Sequence, residues 1–178
     1  MLVRPAMPND IERCLHLDGT VMSQVVWNMR QTDERGCVST VFSPVRLPRP
    51  LELPYPVPLY TLAEQLQRGD CVLVAQDEDG QIVGCLAMSR SPVSKFGLVD
   101  HLVVTADRRR AGIGTALLGE AVRRVWDWEL QGLVVPCQAR NGVGIAFCQH
   151  LGLEFSGYCE HYYAEHDIAL LFVYQVKR

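Results

Sequence analysis

The stretch "LVVTADRRRAGIGTALL" at residues 102–118 runs an apolar segment into three arginines and two closely spaced glycines, and a helix-like apolar pattern follows at once. A strand, a basic turn with glycines and a helix start form a recurrent phosphate-binding arrangement. The first turn of a helix leaves about four N–H groups without internal partners and carries the positive end of the dipole. Glycine lets the backbone approach an anion closely, and arginine adds forked, charge-assisted hydrogen bonds. The stretch therefore predicts a phosphate or pyrophosphate ligand. A tight strand–helix turn with solvated arginines is the competing structural reading. Two common nucleotide signatures do not fit. No lysine follows the glycines as a P-loop requires, and Leu117 stands where a dinucleotide fingerprint has its third glycine.

Working outward, Ile113, Leu117, Leu118, Val122 and Val125 share one face of a predicted helix over 113–130. "GLVDHLVVTA" before it and "GLVVPCQA" after it read as strands. "NGVGIAFCQHLG" reads as a short helix, N-capped by Asn141 and closed by Gly152. "LEFSGYCEHYY" and "DIALLFVYQVK" read as final strands that pair antiparallel. Upstream, residues 2–4 form a strand, and "PNDIERCLHLD" forms a helix capped by Asn9 or Asp10. "LYTLAEQLQRGD" is a helix ended by Gly69, and "CVLVAQ" and "QIVGCLAMSR" form a hairpin about Asp79-Gly80. Residues 24–58 are less regular. "QVVWNMRQ" and "GCVSTVFSPVRL" have strand character, and "LPRPLELPYPVP" carries five prolines that favour edge or loop geometry. The expected fold is α/β (α+β), one domain over 1–178, with a mixed, mostly antiparallel central sheet flanked by helices.

The net charge of −3 argues against a general nucleic-acid binder. Seven cysteines, an odd number with no C-x-x-C pair, argue against a disulfide framework or a zinc site. The start "MLVRPAMPND" lacks the apolar core of a signal peptide, and no apolar run reaches the ~18 residues of a membrane span. A cytoplasmic protein without a membrane partner is the expectation.

"RRAGIG" at 109–114 matches the R/Q-x-x-G-x-G/A signature of the GNAT acyl-CoA N-acetyltransferases. "ARNGVGIAFCQHLGLEFSGY" resembles that family's next motif, in which an Asn starts a helix that "F-Y-x-x-x-G-F" ends. The resemblance is strongest over about residues 70–160, and the order of elements is similar along the whole chain. It implies a GNAT-like fold and acetyl-CoA lying between two splayed strands, here 97–105 and 133–139. Main-chain groups of Leu102, Val103 and Val104 would pair with the pantetheine arm and the acetyl carbonyl. The turn of Arg109, Arg110, Ala111, Gly112, Ile113, Gly114 and Thr115 would hold the pyrophosphate, with Asn141 opening the following helix. Arg108 is either solvated or reaches the phosphates.

The implied reaction is direct acetyl transfer to a neutral amine, assisted by a base, an oxyanion donor and an acid. The family's tyrosine acid falls on Cys148 here. Weak acid, nucleophile and inert small residue are three open readings of Cys148. A glutamate base used by ribosomal-protein members falls on Pro136. Asp100, placed by strict alternation on the same face as Leu102 and Val104 with His101 facing the other way, is the candidate base or amine anchor.

Glu160 and Tyr162, with Tyr163, are candidates for the acceptor cleft. His161 and His166 give no complete metal set. "VVWNMRQ … VRLPRPLELPYP" is similar to the N-terminal insert of streptothricin-acetyltransferase-like members, which would set Trp27, Arg46 and Arg49 near the acceptor and make 24–58 an acceptor-side insert. The leading expectation is acetyl-CoA-dependent N-acetylation of a primary amine on a small molecule, antibiotic-like amines included. Acetylation of a protein N-terminus or lysine, a non-catalytic acyl-CoA-binding module and, more distantly, a nucleotide-binding regulator are the alternatives. A homodimer is expected by analogy.

Overall fold

A computed structural model describes residues 1–90, 93–163 and 167–176. The elements in chain order are β1 (Leu2–Pro5), α1 (Pro8–Leu15), β2 (Val21–Glu34), β3 (Cys37–Leu53), α2 (Thr61–Gln67), β4 (Cys71–Gln76) and β5 (Ile82–Arg90). Then come β6 (Phe96–Val104), a short 3-10 turn, α3 (Ile113–Asp127), β7 (Gly132–Gln138), α4 (Gly142–His150), β8 (Glu154–Cys159) and β9 (Ala169–Gln175). Seven strands form one sheet in the order β1-β4-β5-β6-β7-β9-β8. Only β6 and β7 run parallel in it, joined by the α3 crossover.

Each face of the sheet buries a different set of helices. Leu117, Leu118 and Val125 of α3 and Ile145 of α4 pack with Leu86, Leu133 and Phe172. On the opposite face Ile11 and Cys14 of α1 and Leu62 of α2 pack with Val74, Cys85 and Val103.

The β6–β7 junction is short. Its register joins Phe96 to Gly132, Gly97 to Leu133 and Leu98 to Val134, and goes no further. Pro136 gives one reason. Ala139 N–H donates across to Ile168 O beside β9, so Cys137 and Val135 also turn their amides to β9. Pro136 and Val134 face β6 by alternation. A proline has no N–H to give, so the parallel ladder loses its next donor there.

The proline-rich region is a continuous antiparallel ribbon, longer than the two short strands expected from sequence. β2 and β3 pair from Val21–Leu53 to Glu34–Cys37, turning through Arg35 and Gly36, both at positive φ. Each strand has one neighbour, so the prolines of β3 sit on edge strands. The ribbon leans on the main sheet's far end. Trp27 N–H donates to Ala139 O at 2.8 Å, Gly142 N–H donates to Ser23 Oγ at 3.0 Å, and Phe42 meets Tyr158 edge-on at 5.1 Å.

Two termini differ from expectation. Met7, not Asn9 or Asp10, is the N-cap of α1, and Asp10 sits at the third helical position. Its carboxylate accepts from Met7 N–H and from both Arg4 nitrogens, and Arg4 holds its pKa below the ordinary value. Helix α3 ends at Asp127, because Glu129 takes positive φ.

Leu117 is fully buried between α3 and the sheet. Leu117→Ala should lower unfolding free energy by about 2–5 kcal/mol in chemical denaturation.

Candidate active site

The gap beyond the β6–β7 junction exposes strand edges that would otherwise be paired. Thr105 N–H donates to Val83 O on β5, so Val103, opposite Cys85, also turns its polar backbone toward β5. Leu102 and Val104 therefore present their N–H and C=O groups to the gap. Expectation placed Val103 there too, but its backbone lies in the β5 ladder and its side chain is in the α1/α2 core. Side chains satisfy two of the gap-facing groups. Leu102 N–H donates to the Tyr55 hydroxyl at 3.1 Å, and Val104 O accepts from Arg109 Nε at 3.0 Å.

A register irregularity decides where Asp100 points. Ala87 pairs with His101 and Met88 with Val99, so Asp100 is the extra residue of a bulge. Strict alternation fails there. Leu102 and Val104 pack on the α3 side, whereas Asp100 and His101 both reach α2. This corrects both the shared face with Leu102 and Val104 and the opposite facing of His101. Asp100 Oδ2 accepts from Gln65 Nε2 at 2.9 Å and from Ser89 N–H at 3.1 Å. Burial, above all, raises its pKa. The Ser89 side chain also bonds to the carboxylate.

His101 is 1% exposed, and its Nε2 lies 2.7 Å from Thr61 Oγ1. The Thr61 hydroxyl donates to Pro58 O, so Nε2 must carry the imidazole proton. Nδ1 is then a buried lone-pair acceptor without a partner among the described residues. Burial lowers the pKa of His101 to about 4, which leaves the ring neutral near pH 7.

The glycine turn opens α3. Gly112 is the N-cap, at φ 79°, and the helix's first bond runs from Ala116 N–H to Gly112 O. The amides of Ile113, Gly114 and Thr115 have no such bond. A Cβ on Gly114 would crowd the Phe147 ring at 3.3 Å, so glycine lets α3 and α4 approach here. Ile113 is core, and Arg110 and Ala111 are exposed. The arginines divide their tasks. Arg109 turns inward and donates to Val104 O, Thr20 O and Asp18 O, which pins the end of the α1–β2 connection to β6. Arg108 faces Asp77 and Asp107.

Other candidates spread more widely. Asn141 caps α4, accepting from Gly144 N–H at 2.8 Å. Cys148 is 1% exposed in the core, 3.5 Å from Cys137 Sγ. Trp27 is half-buried against the α3-side core. Glu160 is exposed beyond β8. Tyr162 meets Tyr163 edge-on at 4.9 Å, and its pKa is raised first by burial and next by the charge of Asp100. His161 is exposed at positive φ, and His166 lies outside the described residues. No cluster of metal-ligating side chains occurs among the described residues, and no helix among them is long and apolar enough to cross a membrane.

Residues 42–153 match the model of the acetyltransferase (GNAT) family. The chain belongs to the GNAT family. It is an acetyl-CoA-dependent N-acetyltransferase with the GNAT fold. An N-alpha-acetyltransferase of Sulfurisphaera tokodaii is 26% identical over 68% of this chain and 79% of its own. The crystal structure of a nourseothricin acetyltransferase superposes with a TM-score of 0.83 at 21% identity, covering 98% of this chain and 97% of that one. A candidate streptothricin acetyltransferase of Bacillus anthracis str. Ames, in complex with acetyl coenzyme A, gives a TM-score of 0.78 at 15% identity over 98% and 99%. The ribosomal-protein-S18-alanine N-acetyltransferase of Escherichia coli gives 0.68 at 14% over 99% and 94%.

Tyr55, Gln65 and Ser89 are gathered at this site without local sequence signals. Tyr55 stands in a proline run, and only the fold carries its ring onto β6.

The raised pKa of Asp100 has a sign for stability. A folded pKa above the unfolded one favours the protonated fold, so ionisation costs stability as pH rises through the folded value. Asp100→Asn should therefore raise Tm at pH 7. The advantage should shrink as pH falls through the raised folded pKa and be gone below about 4, where the unfolded-state carboxylate is protonated too. Thermal melts across pH check this.

Proposed function

We propose that the acceptor is a primary amine on a small molecule, and that Asp100 holds its ammonium and takes its proton. The observation that carries this reading is the half-buried Asp100 carboxylate, held by Gln65 and Ser89 and without an ion-pair partner among the described residues. A half-buried carboxylate held by neutral donors suits one ammonium group. Ionised Asp100 stabilises the cation first. Deprotonation then frees the nitrogen lone pair to attack the acetyl carbon.

In this reading the N–H groups from Arg109 to Thr115 hold the pyrophosphate, with Arg110 adding charge from the surface. Leu102 and Val104 align the pantetheine and acetyl groups through their gap-facing backbone. Trp27, Glu160 and Tyr162 line the acceptor side, with the ribbon over 24–58 as its wall and 70–160 as the acetyl-CoA core of one domain in the cytoplasm. Cys148, closed inside the core, has no chemical step. Whole-chain similarity to the nourseothricin acetyltransferase, ribbon included, supports an antibiotic-like amine. The curated relative named as an N-alpha-acetyltransferase favours a second reading, a protein α-amine.

Thiol release from acetyl-CoA, measured with polyamines, aminoglycosides, streptothricin, amino acids and peptide N-termini, separates the two. The first reading expects a small polyamine-like compound to exceed every peptide by at least about tenfold in kcat/KM, about 1.4 kcal/mol of transition-state preference. The reverse ranking overturns it. Asp100→Asn should lower kcat by about 10²-fold or more and remove the acidic limb of the pH–rate profile. That limb should lie above the ordinary carboxylate range because the pKa of Asp100 is raised. Gly112→Val places a branched residue at φ 79° on the phosphate turn. A fall of at least about tenfold in acetyl-CoA affinity by calorimetry is expected; unchanged affinity removes the pyrophosphate from this turn.

A further inference from the structure

Tyr55 lies outside every motif of the chain, yet its hydroxyl meets the central main-chain donor of the gap. Leu102 N–H donates to the phenol oxygen at 3.1 Å. No described residue accepts the hydroxyl's own proton. Two donors thus stand side by side, an amide and a phenol, with the phenol's hydrogen uncommitted.

The ring is held firmly. Pro54 and Pro56 flank Tyr55 and restrict its backbone. Its face stacks on the His101 ring, with centroids 6.1 Å apart and 30° between planes. It also packs against the α1/α2 core. Such a side chain offers a hydroxyl with little orientational freedom to lose, as a preorganised donor requires.

We propose that the Tyr55 hydroxyl is a catalytic residue, the second hydrogen-bond donor beside Leu102 N–H to the acetyl carbonyl oxygen during transfer. The proposal depends on the reading that the thioester lies in the β6–β7 gap. The phenol yields the amide and turns its hydrogen to the same oxygen. As the amine nitrogen bonds to the acetyl carbon, the carbonyl π pair moves onto oxygen, where both donors stabilise the charge. When that pair re-forms the double bond, the C–S bond breaks and leaves its electrons on sulfur. The ammonium's first proton is already on Asp100, the proton the nitrogen sheds after attack passes to the departing sulfur, and Tyr55 keeps its own throughout. Burial above all raises the phenol's pKa, so it stays a protonated donor across the working pH range.

Acetyl-CoA labelled with ¹³C at the thioester carbonyl gives a readout independent of turnover. Binding to the wild type should lower the labelled C=O stretching frequency. In Tyr55→Phe at least about half of that shift should vanish, and kcat should fall by about 10–10³-fold. The Kd of coenzyme A itself, which has no carbonyl at this position, should stay within about twofold. Site-specific 3-fluorotyrosine at position 55, a stronger donor of nearly unchanged shape, should deepen the shift. A full shift and kcat within about twofold in Tyr55→Phe overturn the proposal alone. A wild type that binds acetyl-CoA without any carbonyl shift overturns the placement in the gap and the proposal with it.

Discussion

Strands β6 and β7 meet only from Phe96–Gly132 to Leu98–Val134, and the site exists because that pairing stops. A parallel ladder carried further would spend the backbone groups of Leu102 and Val104 on β7. Pro136 has no N–H to donate from the facing edge. The released groups cannot stay bare in a half-buried gap without a free-energy cost. The Tyr55 hydroxyl takes Leu102 N–H, and the Arg109 guanidinium takes Val104 O. Both side chains come from outside the strand pair, so the opening is stable without being closed. Polar groups satisfied in this replaceable way are suited to exchange for a ligand.

The bulge at Asp100 works together with the gap. One extra residue between the Ala87–His101 and Met88–Val99 pairs turns a carboxylate and an imidazole toward the same helix. Gln65 and Ser89 then hold one carboxylate oxygen, and Thr61 fixes the imidazole tautomer through Pro58. The outcome is a partly desolvated acid beside a neutral ring. Burial moves the two pKa values in opposite directions, up for Asp100 and down for His101, because it opposes charge in each.

Much of the fold is legible in the sequence. Glycines at positive φ close α2 and α4 at Gly69 and Gly152, as their sequence positions implied. The apolar face of α3 was readable from its spacing, and Asn141 caps α4 as expected. The departures from local pattern share a cause. Alternation is a local rule, and the bulge at Asp100 depends on how β5 registers against β6. Asp10 looked like a cap residue, but its pairing with Arg4 places it one turn further in. The ribbon was harder still, because prolines exclude a central strand without saying whether an edge strand or a loop results.

The sequence by itself determined the family. A glycine turn, a helix start and an Asn-capped helix are encoded by residues close together, since φ preferences and orphan amides act within one turn of chain. The tertiary structure alone decided which side chains share the gap. Tyr55 meets Leu102, Gln65 meets Asp100, and Thr20 meets Arg109, each across tens of residues. Those contacts depend on sheet order, on a three-pair parallel junction and on a one-residue bulge. No residue carries these features alone, because each is a relation between strands that comes into being only when the sheet assembles.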